Sequence, residues 1–107
     1  MSEITIEVVE QAKVFVLDLL KRELPEECVF HSEKHTLDVF NNSQIIGNAI
    51  NLSTKELNCL AIGALFHDTG YVKDYANHEQ VSAIMARQYL EDKNVEEVNI
   101  RRSRVGI

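Results

Sequence analysis

Apolar residues recur at three- and four-residue spacing through the first part of the chain, at Ile4, Val8, Val9, Ala12, Phe15, Val16, Leu19 and Leu20. That period predicts an amphipathic helix from Ile4 to Leu24. Pro25 then ends it, because proline disfavours helical geometry in the residue before it. Residues 26–30 form a short connector. Ser32 is a candidate N-cap for a second helix running to about Ile50, with Leu37, Val39, Phe40, Ile45, Ile46 and Ala49 as its apolar side. Ser53-Thr54-Lys55-Glu56 has the form of a capping box. The run that follows, Leu57 to Phe66, is apolar nearly all round, as expected of a helix buried within a bundle. Thr69-Gly70 supplies the stop. Asn77 to Gln80 repeats the capping pattern and opens a fourth helix carrying Val81, Ala83, Ile84, Ala86, Tyr89 and Leu90. Beyond Asn94 the pattern thins to one or two turns over Val95–Ile100, and Arg101-Arg102-Ser103-Arg104 offers no apolar face. Helix, helix, buried helix and helix with short connections predict an all-α bundle.

Composition narrows the picture. The chain has 107 residues, room for one domain, and four Gly with a single Pro favour long helices. A net charge of −6 argues against a surface for nucleic-acid polymers, whose phosphates demand basic patches. Most of the 17 acids are read as a solvated face. No stretch is long and apolar enough to span a bilayer, and Glu3, Glu7, Glu10 and Lys13 interrupt any secretory signal core. Cys28 and Cys59 are isolated, without a CxxC pair, so a cytoplasmic setting with reduced thiols is expected and core packing is the expected role of both.

All four histidines, His31, His35, His67 and His78, fall between the end of the first predicted helix and the start of the fourth. His67 is followed at once by Asp68, at the end of the most buried helix, where a carboxylate is costly unless something pairs with it. A divalent cation would satisfy both. A His-Asp dipeptide alone is a weak signal. His35, on the helix expected to pack antiparallel to the His67 helix, strengthens it, and spacing alone leaves a metal site and a hydrogen-bonded core pair equally open.

The segments His31-Ser-Glu-Lys-His35-Thr-Leu-Asp-Val39, Ala64-Leu-Phe-His67-Asp68-Thr-Gly70-Tyr71 and Asn77-His78-Glu79 with Ser82-Ala83 occur in an order that resembles the HD superfamily of metal-dependent phosphohydrolases, over about residues 28–93. The likeness is strongest to small bacterial stand-alone HD hydrolases. It implies an HD-type bundle of about five helices, with His35, His67 and Asp68 as metal ligands. It makes Asp68 part of the catalytic set and His31 the group that protonates the leaving oxygen. His78 would face a second metal or the substrate phosphate, against the alternative of a plain helix N-terminal His. Mixed nitrogen and oxygen donors suit Mn, Fe, Co, Ni or Zn, or Mg in a more oxygen-rich site. The implied reaction is hydrolysis of a nucleotide or other small phosphate ester. Lys34 and Lys73 could neutralise phosphate oxygens, but solvated surface charges are the favoured reading.

The family also carries a later Asp, on a helix beyond the His-Asp pair, for which residues 69–107 offer no counterpart. The resemblance therefore implies a domain incomplete at its C-terminal end. It leaves open a degenerate, non-catalytic module for ligand sensing or protein interaction. A bundle short of its last helices should expose an apolar groove along its buried helix, and such a groove implies a homodimer or higher homo-oligomer.

Overall fold

A computed structural model of the chain describes residues 3–24, 32–74 and 76–104. Five α-helices follow in order: α1 (Ile6–Glu23), α2 (Glu33–Ala49), α3 (Thr54–Phe66), α4 (His78–Asp92) and α5 (Glu97–Ser103). A 3-10 turn, Thr69–Val72, lies between α3 and α4, and there is no strand among the described residues. The fold is all-α, as the periodicity indicates.

The central element is α3, which packs against all four other helices and the 3-10 turn. Cys59 and every residue from Ala61 to Phe66 are buried, so its near-continuous apolar run has a partner on each side. Its start is the expected capping box: Ser53 Oγ accepts from Glu56 N–H at 3.1 Å and Glu56 Oε1 accepts from Ser53 N–H at 2.8 Å. At its other end the Phe66 ring meets Phe15 of α1 and Tyr89 of α4, with centroids 6.2 and 5.6 Å away. Three helices thus converge on the turn that follows Phe66.

Two residues beyond the end of α2 and of α4 stands a residue with positive φ, Asn51 at 63° and Asn94 at 61°. The next N–H reaches back to the last turn in each case, Leu52 to Gly47 at 3.0 Å and Val95 to Leu90 at 3.1 Å. These are Schellman closures with asparagine in the left-handed position usually held by glycine.

Four expectations need correction. First, α1 begins at Ile6, because Thr5 caps it by accepting from Val8 N–H at 3.2 Å. Second, α2 does not bury Ile45, Ile46 or Ala49; its buried residues are Thr36, Phe40 and Gly47. The reason is close packing on α3: a Cβ at Gly47 would stand 2.6 Å from Leu57 Cδ2 and 3.2 Å from Leu52 Cδ1. The small residue, not the large ones, sets the helix rotation. Third, Asn77 makes no side-chain cap for α4. Its backbone N–H and its side-chain amide are both donated to the Asp74 carboxylate, each at 3.1 Å, which holds that carboxyl below its ordinary pKa. Fourth, α5 continues through the arginines and buries Asn99, Ile100 and Ser103. Ser103 is tolerated there because its hydroxyl donates to the Ile100 carbonyl at 2.6 Å.

Candidate metal centre

The chain connecting α2 and α3, residues 50–53, is short, so the two helices run antiparallel. That brings the third residue of α2, His35, beside the C-cap of α3, His67. Their rings lie 5.4 Å apart between centroids. Asp68 Oδ2 is 3.1 Å from His67 Nε2 and 3.4 Å from His35 Nε2. One donor atom from each of the three residues lies within 4.8 Å of the others, close enough for all three to hold one metal ion. No other such group of His, Cys, Asp and Glu occurs among the described residues.

Burial is graded across this cluster. The Asp68 side chain is 7% exposed, His67 19% and His35 43%, so the donors open outward from a buried carboxylate. Asp68 has φ −109° and ψ 3°, in the sparsely populated bridge region where the helix has stopped and the chain turns.

The orientation of His67 is fixed from behind. Its Nδ1 lies 2.6 Å from the Ala64 carbonyl, which can only accept, so Nδ1 carries the proton and Nε2 is directed at Asp68. A metal-binding imidazole characteristically donates its other N–H to a backbone carbonyl in this way. Burial depresses the His67 pKa, yet the bond to Asp68, the Ala64 carbonyl and the Asp68 charge outweigh it, so the net shift is upward. The pocket therefore favours positive charge at Nε2. A bound divalent cation satisfies the same preference, and the residues present fit one.

The turn bearing Asp68 is clamped to α4. Ser82 Oγ donates to the His67 carbonyl at 3.0 Å and accepts from Gly70 N–H at 2.8 Å. Thr69 Oγ1 donates to the Phe66 carbonyl at 2.8 Å. Gly70 lies so close to α4 that a Cβ there would collide with the His78 carbonyl oxygen. The family resemblance includes Ser82 but gives it no role; its signal is a hydroxyl at a core-facing position of α4, where a polar group needs partners.

The remaining candidates fall into place as follows. His78 opens α4 with its ring stacked on Tyr71, centroids 4.0 Å apart and planes 13° apart, and it is not in the three-residue cluster. His31 and Cys28 lie outside the described residues. Lys34 and Lys73 are exposed, in line with the solvated reading, and Cys59 is buried in the core. Among later acids, Glu97 is engaged by Arg87 and Arg101, while Glu79, Glu91, Asp92 and Glu96 are exposed; none joins the cluster.

Comparison with known proteins is consistent with this geometry. A family model described as HD domain matches residues 33–103. That span begins at α2 and takes in the three clustered residues, the Ser82 clamp and α5. No curated protein and no solved structure matches the chain.

Proposed function

The chain belongs to the HD domain family, and on that premise we propose that it is a metal-dependent phosphohydrolase acting on a nucleotide or other small phosphate ester. The observation that carries this reading is the convergence of His35, His67 and Asp68 within 4.8 Å at the junction of α2, α3 and the 3-10 turn.

In this reading His35 and His67 present Nε2 to a divalent cation, and Asp68 contributes its buried carboxylate. When bound, the cation supplies Lewis-acid polarisation of a phosphoryl oxygen and lowers the pKa of a water molecule. Ala64 holds His67 in the tautomer that leaves Nε2 available, and Ser82 keeps the Asp68 turn in place. His31 is assigned, by the family resemblance alone, to protonating the departing oxygen, a role for which imidazole is suited near neutral pH. His78 is assigned to the substrate phosphate or a second cation on the same ground. The protein works in the cytoplasm, as its isolated cysteines suggest. No helix of the described chain is long and apolar enough to cross a membrane.

A second reading has an observation of its own. The donor cluster comprises three residues among those described, with no further carboxylate gathered to it. A domain that holds a cation or a phosphate ligand without turnover needs no more than that.

One experiment separates the two. Purified protein supplemented in turn with Mn, Fe, Co, Ni, Zn and Mg is assayed for release of inorganic phosphate from a panel of nucleotides and a chromogenic phosphodiester. Metal-dependent release that His31→Gln lowers while metal content stays unchanged supports the enzyme. Stoichiometric metal with no release from any substrate supports the binding module.

A further inference from the structure

The rotation of α2 that buries Gly47 turns its large apolar residues outward. Ile45 is 66% exposed, Ile46 60% and Ile50 63%. They lie with Asn42 and Ala49 along the outer face of the last turns of the helix. Exposed isoleucines clustered in this way are uncommon on a soluble surface and mark a contact.

The surroundings of the patch indicate what the contact is. From Val39 to Thr54 the chain contains no Asp, Glu, Lys, Arg or His, in a protein where 26% of residues are charged. A partner selected by charge would find no charged side chain within that stretch. Two copies of this chain, each of net charge −6, repel one another wherever their acidic surfaces meet. This neutral face avoids that repulsion. Its polar members, Asn41, Asn42 and Asn48, are exposed amides carrying both donors and acceptors, so the same surface reversed across a two-fold axis can complement itself. Ala49, between Ile45 and Ile50, lets a second helix approach to about 8–10 Å.

We propose that the outer face of α2 from Asn41 to Ile50 is a self-association surface, and that the occupant is α2 of a second copy of this chain. The contact is isologous, with Ile45 and Ile46 at its centre. A footprint of three helical turns falls below the standard interface of about 800 Å² per partner, so the dimer is of the weak, dissociating kind. The surface is distinct from the groove of about 520 Å³ beside the first half of α3, whose lining includes the charged side chains of Lys55, Glu56 and Arg102.

Sedimentation equilibrium on the full chain, from about 5 to about 500 µM, tests this. The expected result is a monomer–dimer equilibrium that tightens as salt rises, because screening weakens the repulsion between two acidic copies. Ile45→Glu with Ile46→Glu should weaken it by about tenfold or more, since each partner then buries like charges. Ile45→Asn with Ile46→Asn, which adds no charge, should also weaken it. Far-UV circular dichroism confirms that each variant is folded. Ile84→Glu, at an exposed position on α4, should leave the equilibrium unchanged. A chain that stays monomeric throughout, because the face is empty or serves a different protein, overturns the proposal. So does a dimer that folded Ile45/Ile46 variants leave intact.

Discussion

The hydroxyl of Ser82 donates to the carbonyl of His67 at 3.0 Å, which makes α4 part of the candidate metal centre although it contributes none of the three clustered donors. The same hydroxyl accepts from Gly70 N–H, so one buried side chain holds both ends of the turn that carries Asp68. Metal affinity should therefore depend on a residue that never touches the metal.

Ser82→Ala leaves the Gly70 N–H without that partner in a buried setting, a loss of about 1–3 kcal/mol. Chemical denaturation should show a lowered midpoint with an unchanged slope. Metal affinity, measured well below the unfolding transition, should fall as well. An unchanged affinity in the folded variant would mean that the turn holds its shape without the clamp.

Gly70→Ala tests the same junction from the other side. The new methyl would meet the His78 backbone carbonyl, which cannot rotate away as a flexible side chain could. The turn and α4 must separate, at a cost toward the upper end of the ~1–3 kcal/mol seen for overpacked sites. Near-UV dichroism of Tyr71, stacked on His78, should change in parallel. A variant as stable as the parent would show that the approach is looser than it stands here.

The raised pKa of His67 sets opposite pH trends for the metal-free and metal-bound protein. With its folded pKa above the unfolded one, protonated His67 contributes stability that is fully present below the unfolded value near 6.5. That contribution is lost as pH rises through the folded pKa. The cation competes with the same proton, so the gain in Tm on adding Mn should grow over that interval. Thermal scans with and without metal from about pH 5.5 to about pH 8.5 check both trends. His67→Gln should flatten them.

A separate pH effect belongs to α5. Arg87 holds Glu97 through two short bonds of 2.6 and 2.8 Å, and Arg101 adds a third; the Glu97 carboxyl is lowered from 4.5 to about 2. A depressed carboxylate contributes stability above its unfolded pKa and loses it as pH falls through the folded one. The tie between α4 and α5 should therefore weaken between about pH 4.5 and about pH 2. Glu97→Gln should show less acid sensitivity in that window by hydrogen exchange of the Ile100 amide.

Much of the architecture was legible in the sequence because one element dominates it. The capping box at Ser53 and the apolar run to Phe66 identify α3, its burial and the depth of the His67-Asp68 pair. Periodicity places His35 only on the neighbouring helix, and the family resemblance alone makes it a ligand; its distance from Asp68 depends on packing. Where the reading failed, small or polar residues had taken core positions. Gly47 and Thr36 face inward on α2 while Ile45 and Ile46 face out, a rotation set by the close approach to Leu57. Periodicity locates a helix but does not say which arc its neighbours cover. Asn77 stands at the N-cap position, as read, but its side-chain amide is tied to Asp74, three residues earlier, and makes no cap hydrogen bond to α4. Ser82 was legible only as part of a family-like segment, with no role attached, and Ser103 was passed over, because a buried hydroxyl acquires meaning only when its partners are in view.

The central claim is that His35, His67 and Asp68 hold a divalent cation. Calorimetric titration of Mn into the metal-free protein tests it most directly, beside His35→Ala, His67→Ala and Asp68→Asn variants shown to be folded by circular dichroism. Saturable binding that each substitution weakens by about tenfold or more is the expected result. His78→Ala, outside the cluster, should weaken it less. Binding of equal strength in the parent and all three cluster variants would contradict the account.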